Sequence, residues 1–505
     1  MSSDEHPHGS TTTGAAWSPW SRPAPRRRLR VTPALLQSLL WIAAAVVLGL
    51  LLGSQAAGVS QRYTKLFVGL FFTYILVRYP TYVALGVFLI LFPFPANIQV
   101  GSTNLIFVLL LAIAWLVRSA FGREPRPERT PLDWAIGAYL AALLLSFVNV
   151  RDHETLVRSA RSALNLVMPI VLYYTVVHIA RSERKLFFLS RMFTVAVGLL
   201  FFVAFMERFA PGVQIIPRWY VTALGATLMG EQPAQRIGGI LSHGMMGDLA
   251  AVACTHQIFM AIRSKGQPVW RVVHWLISLT SLYVISLTGN RGALIACFAG
   301  LLYFFWIFSR EISLRRVLVV LAGFAAVLFI GEKTLSRFEG NITLLTRITE
   351  TYVERGVPDT RRLAWRYAWE RIMEKPILGH GPYYRIGEIG PGARVGWPHN
   401  AFLFYFHTMG LVGVLAFLAL IGRVLQRTYA GHGLRVGEVS LARGMAAIWH
   451  IAIVQFLIGQ LRTDHQRGDV AVYIMWFLFA SGILAARIWR DEKEGRREPV
   501  AQPAA

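Results

Sequence analysis

The sequence is poor in acid, in cysteine and in polar stretches long enough to make a water-soluble domain. Of 505 residues only 27 are Asp or Glu, two are cysteine, and 15% are charged. Cys254 and Cys297 both fall inside apolar runs, where buried thiols are the expected state, and neither a disulfide framework nor a metal site is supported. No Asp-x-Asp, His-Glu-x-x-His or Cys/His cluster occurs in the segments assigned to the outer face below, so no metal and no cofactor is expected there. The alternating ten-residue pattern of a membrane barrel is also missing.

What is present is apolar length. The chain is 55% hydrophobic with a mean hydropathy of +0.47, more apolar surface than a soluble core can use. Crossing a hydrocarbon layer about 30 Å thick takes about 20 helical residues. Runs of that order recur at 33–53, 65–79, 81–95, 105–119, 131–149, 163–180, 186–208, 248–263, 272–288, 292–309, 316–331, 399–422, 444–461 and 469–488. The expected fold is an all-α polytopic membrane protein of about 12–14 spans. The second and third runs are short and share Arg78-Tyr79-Pro80, which suggests a broken or re-entrant pair.

Charge sets the expected orientation. The formal net charge of +24 is spread over short connections rather than one basic face, which argues against a nucleic-acid partner and for topology and contact with membrane lipid. With the N-terminus inside, the strong basic clusters fall on one side: RRRLR, RSAFGREPRPER, RSERK, RSKGQPVWR, SREISLRR, 423–443 and the tail RIWRDEKEGRRE. Residues 1–30 form a disordered basic leader with no convincing small-residue cleavage site, 31–331 and 399–488 are membrane regions, and 489–505 is a second cytoplasmic segment. The 209–247 loop, the TGNRG turn, the 332–398 insertion and the LRTDHQRGD turn fall outside. In a cell with two membranes that places the chain in the inner membrane with a periplasmic face.

These outer segments keep arginine against the usual bias. Arg218 and Arg236 lie in the 209–247 loop, Arg291 in TGNRG, and Arg361, Arg362, Arg366, Arg371, Arg385 and Arg394 in the insertion. A negatively charged ligand is the simplest reason. Leu363, Trp365, Tyr367, Ala368, Trp369, Ile372 and Met373 recur near helical spacing, and Arg362, Arg366 and Glu370 make an i, i+4 row. The expected element is an amphipathic helix at the membrane surface, stopped by Pro376, Gly379, Gly381 and Pro382.

Several residues have the right chemistry for a site. Glycines flanking Arg291 let the backbone turn tightly beside a guanidinium that can grip phosphate, although a rim arginine can also simply reach the headgroups. His399 follows Trp397-Pro398 at the start of a span, and its ordinary pKa near 6.5 leaves it neutral as a base must be. An interfacial histidine bonded to a carbonyl is the bland alternative. His380, in GHGP, is a second base or acceptor-side candidate that could equally face water. Asn400 and Trp365 are further acceptor-side candidates, Trp369 could likewise stack on a sugar, and His243 reads as structural. For Arg361, Arg362 and Arg366 the plain alternative is a headgroup-facing helix side. Glu350 and Glu354 do not make a metal signature.

Together the Arg236 stretch QRIGG, the TGNRGA turn and the insertion with RRLAWRYAW, PILGHGP and a terminal PHNAFL resemble the bacterial O-antigen ligase and O-antigen polymerase superfamily, over about residues 200–460. Asn290 stands where that family often has serine. The resemblance implies a GT-C-like helical fold and metal-independent, inverting transfer of a glycan from an undecaprenyl diphosphate donor to an acceptor sugar. It implies that Arg236 and Arg291 hold the diphosphate and that His399 activates the acceptor hydroxyl, while Arg361 and Arg362 are further diphosphate candidates. The acceptor is a lipid-linked repeat unit for a polymerase or the lipopolysaccharide core for a ligase. PFPANIQVGSTNL is similar to segments of exopolysaccharide members and inclines the reading to polymerase. A transporter or flippase for the same lipid-linked glycan would need charges lining a path through the spans, where Arg191 and Glu207 are among the few. A purely structural or assembly role leaves the outer arginines unexplained.

Overall fold

A computed structural model describes residues 61–94, 97–98, 101–209, 241, 243–310, 360–383, 398–462 and 469–495, with isolated positions between 315 and 330. The expected spans 33–53 and 316–331, the basic leader, Arg218, Arg236, Glu350, Glu354, Arg385 and Arg394 lie outside the described residues. So do the side chains of Glu207, His243, Arg361 and Arg362.

The helices in chain order are α1 Gln61–Arg78, α2 Thr81–Leu91, α3 Thr103–Ala120, α4 Asp133–Ser146, α5 His153–Ile179, α6 Glu183–Phe209, α7 His243–Arg263 and α8 Pro268–Thr288. They continue as α9 Arg291–Ile307, α10 Thr360–Glu374, α11 Ala401–Thr428, α12 Leu441–Gln460 and α13 Asp469–Lys493. Two-residue strands β1 Asn97–Ile98 and β2 Gly101–Ser102 pair antiparallel in the connection before α3. The architecture is thus an all-α polytopic membrane protein. Eight of the described helices are long and apolar enough to cross a membrane, and four shorter apolar helices accompany them.

Local chemistry fixes the boundaries. Asp152 caps α5 by accepting from the Thr155 N–H at 2.7 Å, so this helix begins ten residues ahead of the apolar run that announces it. Pro268 opens α8 at the position where a missing N–H costs nothing. Arg78 closes α1, and Tyr79-Pro80 separates it from α2 as two distinct helices. The Arg118 guanidinium at the end of α3 secures that turn, donating to the Leu76 carbonyl and to Thr81 Oγ1 at 3.0 Å.

α13 and α7 are the central helices. Of their most apolar windows 94% and 89% are buried, against 39% for α3. Helices apolar on all sides belong inside, and those with an apolar stripe facing lipid belong outside. Where polar side chains enter this interior, they join helices. Gln455 of α12 donates to the Ala251 and Ala296 carbonyls at 3.0 and 3.3 Å and accepts from Thr255 Oγ1 at 2.7 Å, linking α7, α9 and α12. Gly300 makes room for it, since a Cβ there would lie 2.0 Å from Gln455 Nε2. Away from water such a bond leaves no amide unsatisfied.

The helix ends sort into two groups. At one end Arg181 pairs with Glu128 at 2.6 Å, joined by Arg487, and Arg423 donates to the Pro131 carbonyl at 3.4 Å. There too Glu183 accepts from the Ala442 N–H at 2.8 Å and Arg263 donates to the Val436 carbonyl at 2.8 Å. This basic end gathers the segments 121–132, 180–182, 264–267 and 429–440. The opposite end gathers Asn149, Asp152, the start of α7, the α8–α9 turn, α10, the start of α11 and the end of α12.

Candidate functional site

The opposite end is built on the turn between α8 and α9. Gly289 takes a left-handed conformation with φ 60° and closes α8. Asn290 then caps α9, accepting from the Gly292 and Ala293 N–H groups at 3.0 and 3.3 Å. Its amide nitrogen donates to the Gly244 carbonyl at 2.9 Å and reaches Asp248 Oδ1 at 3.4 Å. Asparagine thus caps one helix and ties it to the start of another, and Arg291 becomes the first residue of α9. A close approach at Gly247 completes the joint, because a Cβ there would meet Ala293 Cβ at 2.9 Å.

α12 delivers its last turn to the same place. Asp248, 2% exposed and the one buried acid among the described residues, lies against Gly459, where a Cβ would be 2.6 Å from Asp248 Oδ2. The Arg462 side chain runs over Gly292, whose missing Cβ would sit 3.3 Å from Arg462 Cδ. Arg462 is exposed beyond that contact. Two arginines therefore lie at the start of α9, Arg291 as its first residue and Arg462 across Gly292.

α11 brings in the histidine. Asn400 caps α11 by accepting from the Phe402 and Leu403 N–H groups at 2.9 and 3.1 Å, and its amide donates to the Leu461 carbonyl at 3.1 Å. Trp365 of α10 donates its indole N–H to the Pro398 carbonyl at 2.6 Å. His399, held between these two anchors, is the only non-glycine residue at positive φ among the described residues, at 50°. Left-handed backbone at a histidine is uncommon and persists when the surroundings enforce it. The imidazole is exposed.

Contacts thus connect Arg291 through Gly292, Arg462, Leu461 and Asn400 to His399. Two helix N-termini, of α9 and α11, meet here, each bringing positive partial charge. Such an end can hold an anion beside an imidazole.

Of the residues singled out from sequence, the structure brings together Arg291, His399, Asn400 and Trp365. α10 forms over Thr360–Glu374, buries Ala364, Ala368 and Ile372, and packs Trp369 edge-on to Phe406 at 5.9 Å. Arg366 pairs with Glu370 at 3.1 Å on its exposed side. The backbone of Arg361 and Arg362 lies in its first turn.

His380 sits elsewhere, at a break in α11. Gly410 interrupts that helix with φ 66° and ψ −165°, and the 376–381 backbone fills the gap. His380 and Gly381 N–H groups donate to the His407 and Thr408 carbonyls at 2.8 and 3.0 Å. Leu411 and Val412 N–H groups donate to the Pro376 and Ile377 carbonyls at 2.8 and 3.3 Å. The loop thereby satisfies carbonyls of one helix half and N–H groups of the other. The His380 ring stacks on His407 at 4.6 Å, and its Nε2 meets the Arg371 carbonyl at 2.8 Å. Burial holds its pKa below the ordinary 6.5. Both its backbone and its ring are taken up in docking the loop, about 10 Å along α11 from Asn400 at 1.5 Å per residue.

Asp248 and Arg462 are the residues that sequence reasoning passed over. Asp248 stands at the edge of an apolar run, and Arg462 lies in a turn already read as outer. No local signal marks either residue, because each contact forms only where two helices meet.

Fold and site define a polytopic helical membrane protein with a cationic cluster and an imidazole gathered at one end. Residues 276–418 match the O-antigen ligase family model, Wzy_C, and this match supports the resemblance to the O-antigen ligase and polymerase superfamily. The matched segment contains Arg291, Arg361, Arg362, Trp365, His380, His399 and Asn400 and supports ligase- or polymerase-type activity. Comparison with curated proteins finds no match.

Proposed function

We propose that this protein is an inverting glycosyltransferase of the cytoplasmic membrane, using an undecaprenyl-diphosphate-linked glycan as donor on its periplasmic face. The acceptor is the hydroxyl of a second lipid-linked repeat unit, making the protein a polysaccharide polymerase, with ligation to lipopolysaccharide core as the variant chemistry. The observation that carries this proposal is the run of contacts from Arg291 over Arg462 to Asn400 and His399.

In the proposed step the acceptor oxygen attacks the anomeric carbon while the bond from that carbon to the diphosphate oxygen breaks. The electron pair leaves with the diphosphate, and the hydroxyl proton passes to the His399 imidazole. Arg291 and Arg462, with Arg236 as the family resemblance implies and Arg361 and Arg362 as further candidates, neutralise the charge growing on the leaving group, so no metal is required. The enforced backbone at His399 limits the orientations open to its ring before substrate arrives. Trp365 holds that backbone through Pro398, and Asn400 fixes it to α12.

The test supplies purified protein with lipid-linked repeat units, with and without core acceptor, in the presence of chelator. Longer lipid-linked glycans identify a polymerase and modified core identifies a ligase. Movement of donor across vesicles without any new glycosidic bond rejects the enzyme in favour of a transporter.

A further inference from the structure

A cavity of about 750 Å³ opens at the basic end, remote from His399. Its walls come from the segment after α9, the 433–440 connection, the first turn of α12 and the last turn of α13. The walls are well anchored. The Leu434 N–H donates to the Ile307 carbonyl at 2.7 Å, and Arg263 grips the Val436 and Val439 carbonyls at 2.8 and 3.3 Å. Arg443 donates to the Ala430 carbonyl at 3.1 Å and lies over the Trp489 ring at 5.2 Å.

Four cations line this space, Arg310, Arg435, Arg443 and Lys493, against two carboxylates, Glu438 and Glu492. Arg435 pairs with Glu438 at 2.6 Å in an exposed, weakly held bridge. Arg310 and Lys493 make no ion pair among the described residues. The start of α12 contributes little, since the Ala442 N–H is taken by Glu183 and the Arg443 N–H by Ser440. Side-chain cations, not a helix end, must therefore supply the attraction.

The level of the cavity points to its occupant. Trp306, stacked on His432 at 5.0 Å and 47% exposed, lies close by with Tyr429, and Trp489 forms part of the wall. Aromatic rings with a polar edge collect where acyl chains give way to headgroups. Basic pockets between helices at that depth suit phosphate headgroups. We infer that this cavity holds the phosphate of an anionic lipid headgroup, gripped by Arg310 and Lys493 with Arg443 beneath. The site is independent of the glycosyl-transfer proposal.

The experiment uses the full chain in phosphatidylcholine vesicles, with or without phosphatidylglycerol, and counts lipid retained by native mass spectrometry. A parallel arm adds inorganic phosphate to the neutral vesicles. Wild type is expected to retain phosphatidylglycerol, and Arg310→Ala/Lys493→Ala to bind it about tenfold more weakly. Arg310→Lys/Lys493→Arg should retain it, which separates lost charge from lost fold. Lys265→Ala/Arg271→Ala, which removes two exposed cations from the same end, should match wild type. Equal loss in that control or in the charge-conserving variant overturns the proposal, as does no retention by wild type. Retention of inorganic phosphate but not of the lipid also overturns it, by assigning the cavity to a soluble phosphate.

Discussion

Arginine serves differently at the two ends of this molecule. At the basic end several guanidiniums close structure: Arg118 holds the α1–α2 turn, Arg181 and Arg487 share Glu128, and Arg423 and Arg263 cap carbonyls. At the site end Arg291 and Arg462 lie at a helix start next to two asparagine caps and a histidine in an enforced backbone. Equal residue types thus carry different weight according to what surrounds them. A cation satisfied by protein carbonyls has little left for a ligand, whereas positive helix ends beside a cation add to its pull on an anion.

The sharpest way to break this contrast is to remove one arginine from each end. Arg291→Ala should lower glycan transfer by about 10²- to 10³-fold, the usual cost of losing one preorganised donor to a developing anion. Arg423→Ala should leave transfer near wild type in the same assay. Equal losses would mean that both ends serve folding alone.

The broken helix provides the next effect. Gly410→Ala would force a side chain into left-handed backbone and place its Cβ 2.1 Å from the Ile377 carbonyl oxygen. Backbone strain alone costs about 1–3 kcal/mol, and the overlap adds to it. A clear fall in Tm is expected, with loss of protection across 376–381 in hydrogen exchange. Gly422→Ala, where a Cβ meets nothing within 4 Å, is the control.

A milder change sits at the cap. Asn290→Ala removes two capping bonds and should cost about 0.5–2 kcal/mol, read as a shift in Tm. Asn290→Asp keeps the acceptor but sets a second carboxylate beside Asp248, so it should recover less than a cap alone predicts.

Acid separates the ends in the weakest but most directional way. Burial depresses the His380 pKa below 6.5, so the unfolded chain takes up protons first. The stability this gives is complete above about pH 6.5 and is lost as pH falls through the folded value. Glu128 is held down to about 2 from 4.5, chiefly by its hydrogen bond to Arg181 against the opposing effect of burial. Its contribution is complete above 4.5 and lost toward 2, and it is small because Glu128 is half-exposed. Hydrogen exchange corrected for intrinsic rate should therefore loosen 376–381 before 121–132 as pH is lowered, and His380→Gln should abolish the early step.

Much of this was legible in the sequence, for physical reasons. The spans follow from apolar length, the site-end helix from Leu363, Trp365 and Trp369 at helical spacing, and the turns from TGNRG and WPHN. Contacts between distant segments were not legible. Nothing local says that Arg462 would cross Gly292, or that Asp248 would rest on Gly459, because each depends on two helices meeting. The break in α11 was hidden as well. Gly410 in HTMGLVG does not interrupt an apolar run, and the PILGHG backbone supplies the bonds that make the break tolerable. Residues 243–247 fall in the 209–247 loop when spans are drawn from apolar length alone, yet they open α7, where Gly247 allows close packing against Ala293.

His399 bears most directly on the proposed chemistry. Purified wild type and His399→Ala would be compared in proteoliposomes supplied with lipid-linked repeat units, with product glycans resolved by length. The expected result is extended glycan from wild type and none from an equally well-folded His399→Ala. Extension by His399→Ala at the wild-type rate would contradict an imidazole acting as the base at this end of the molecule.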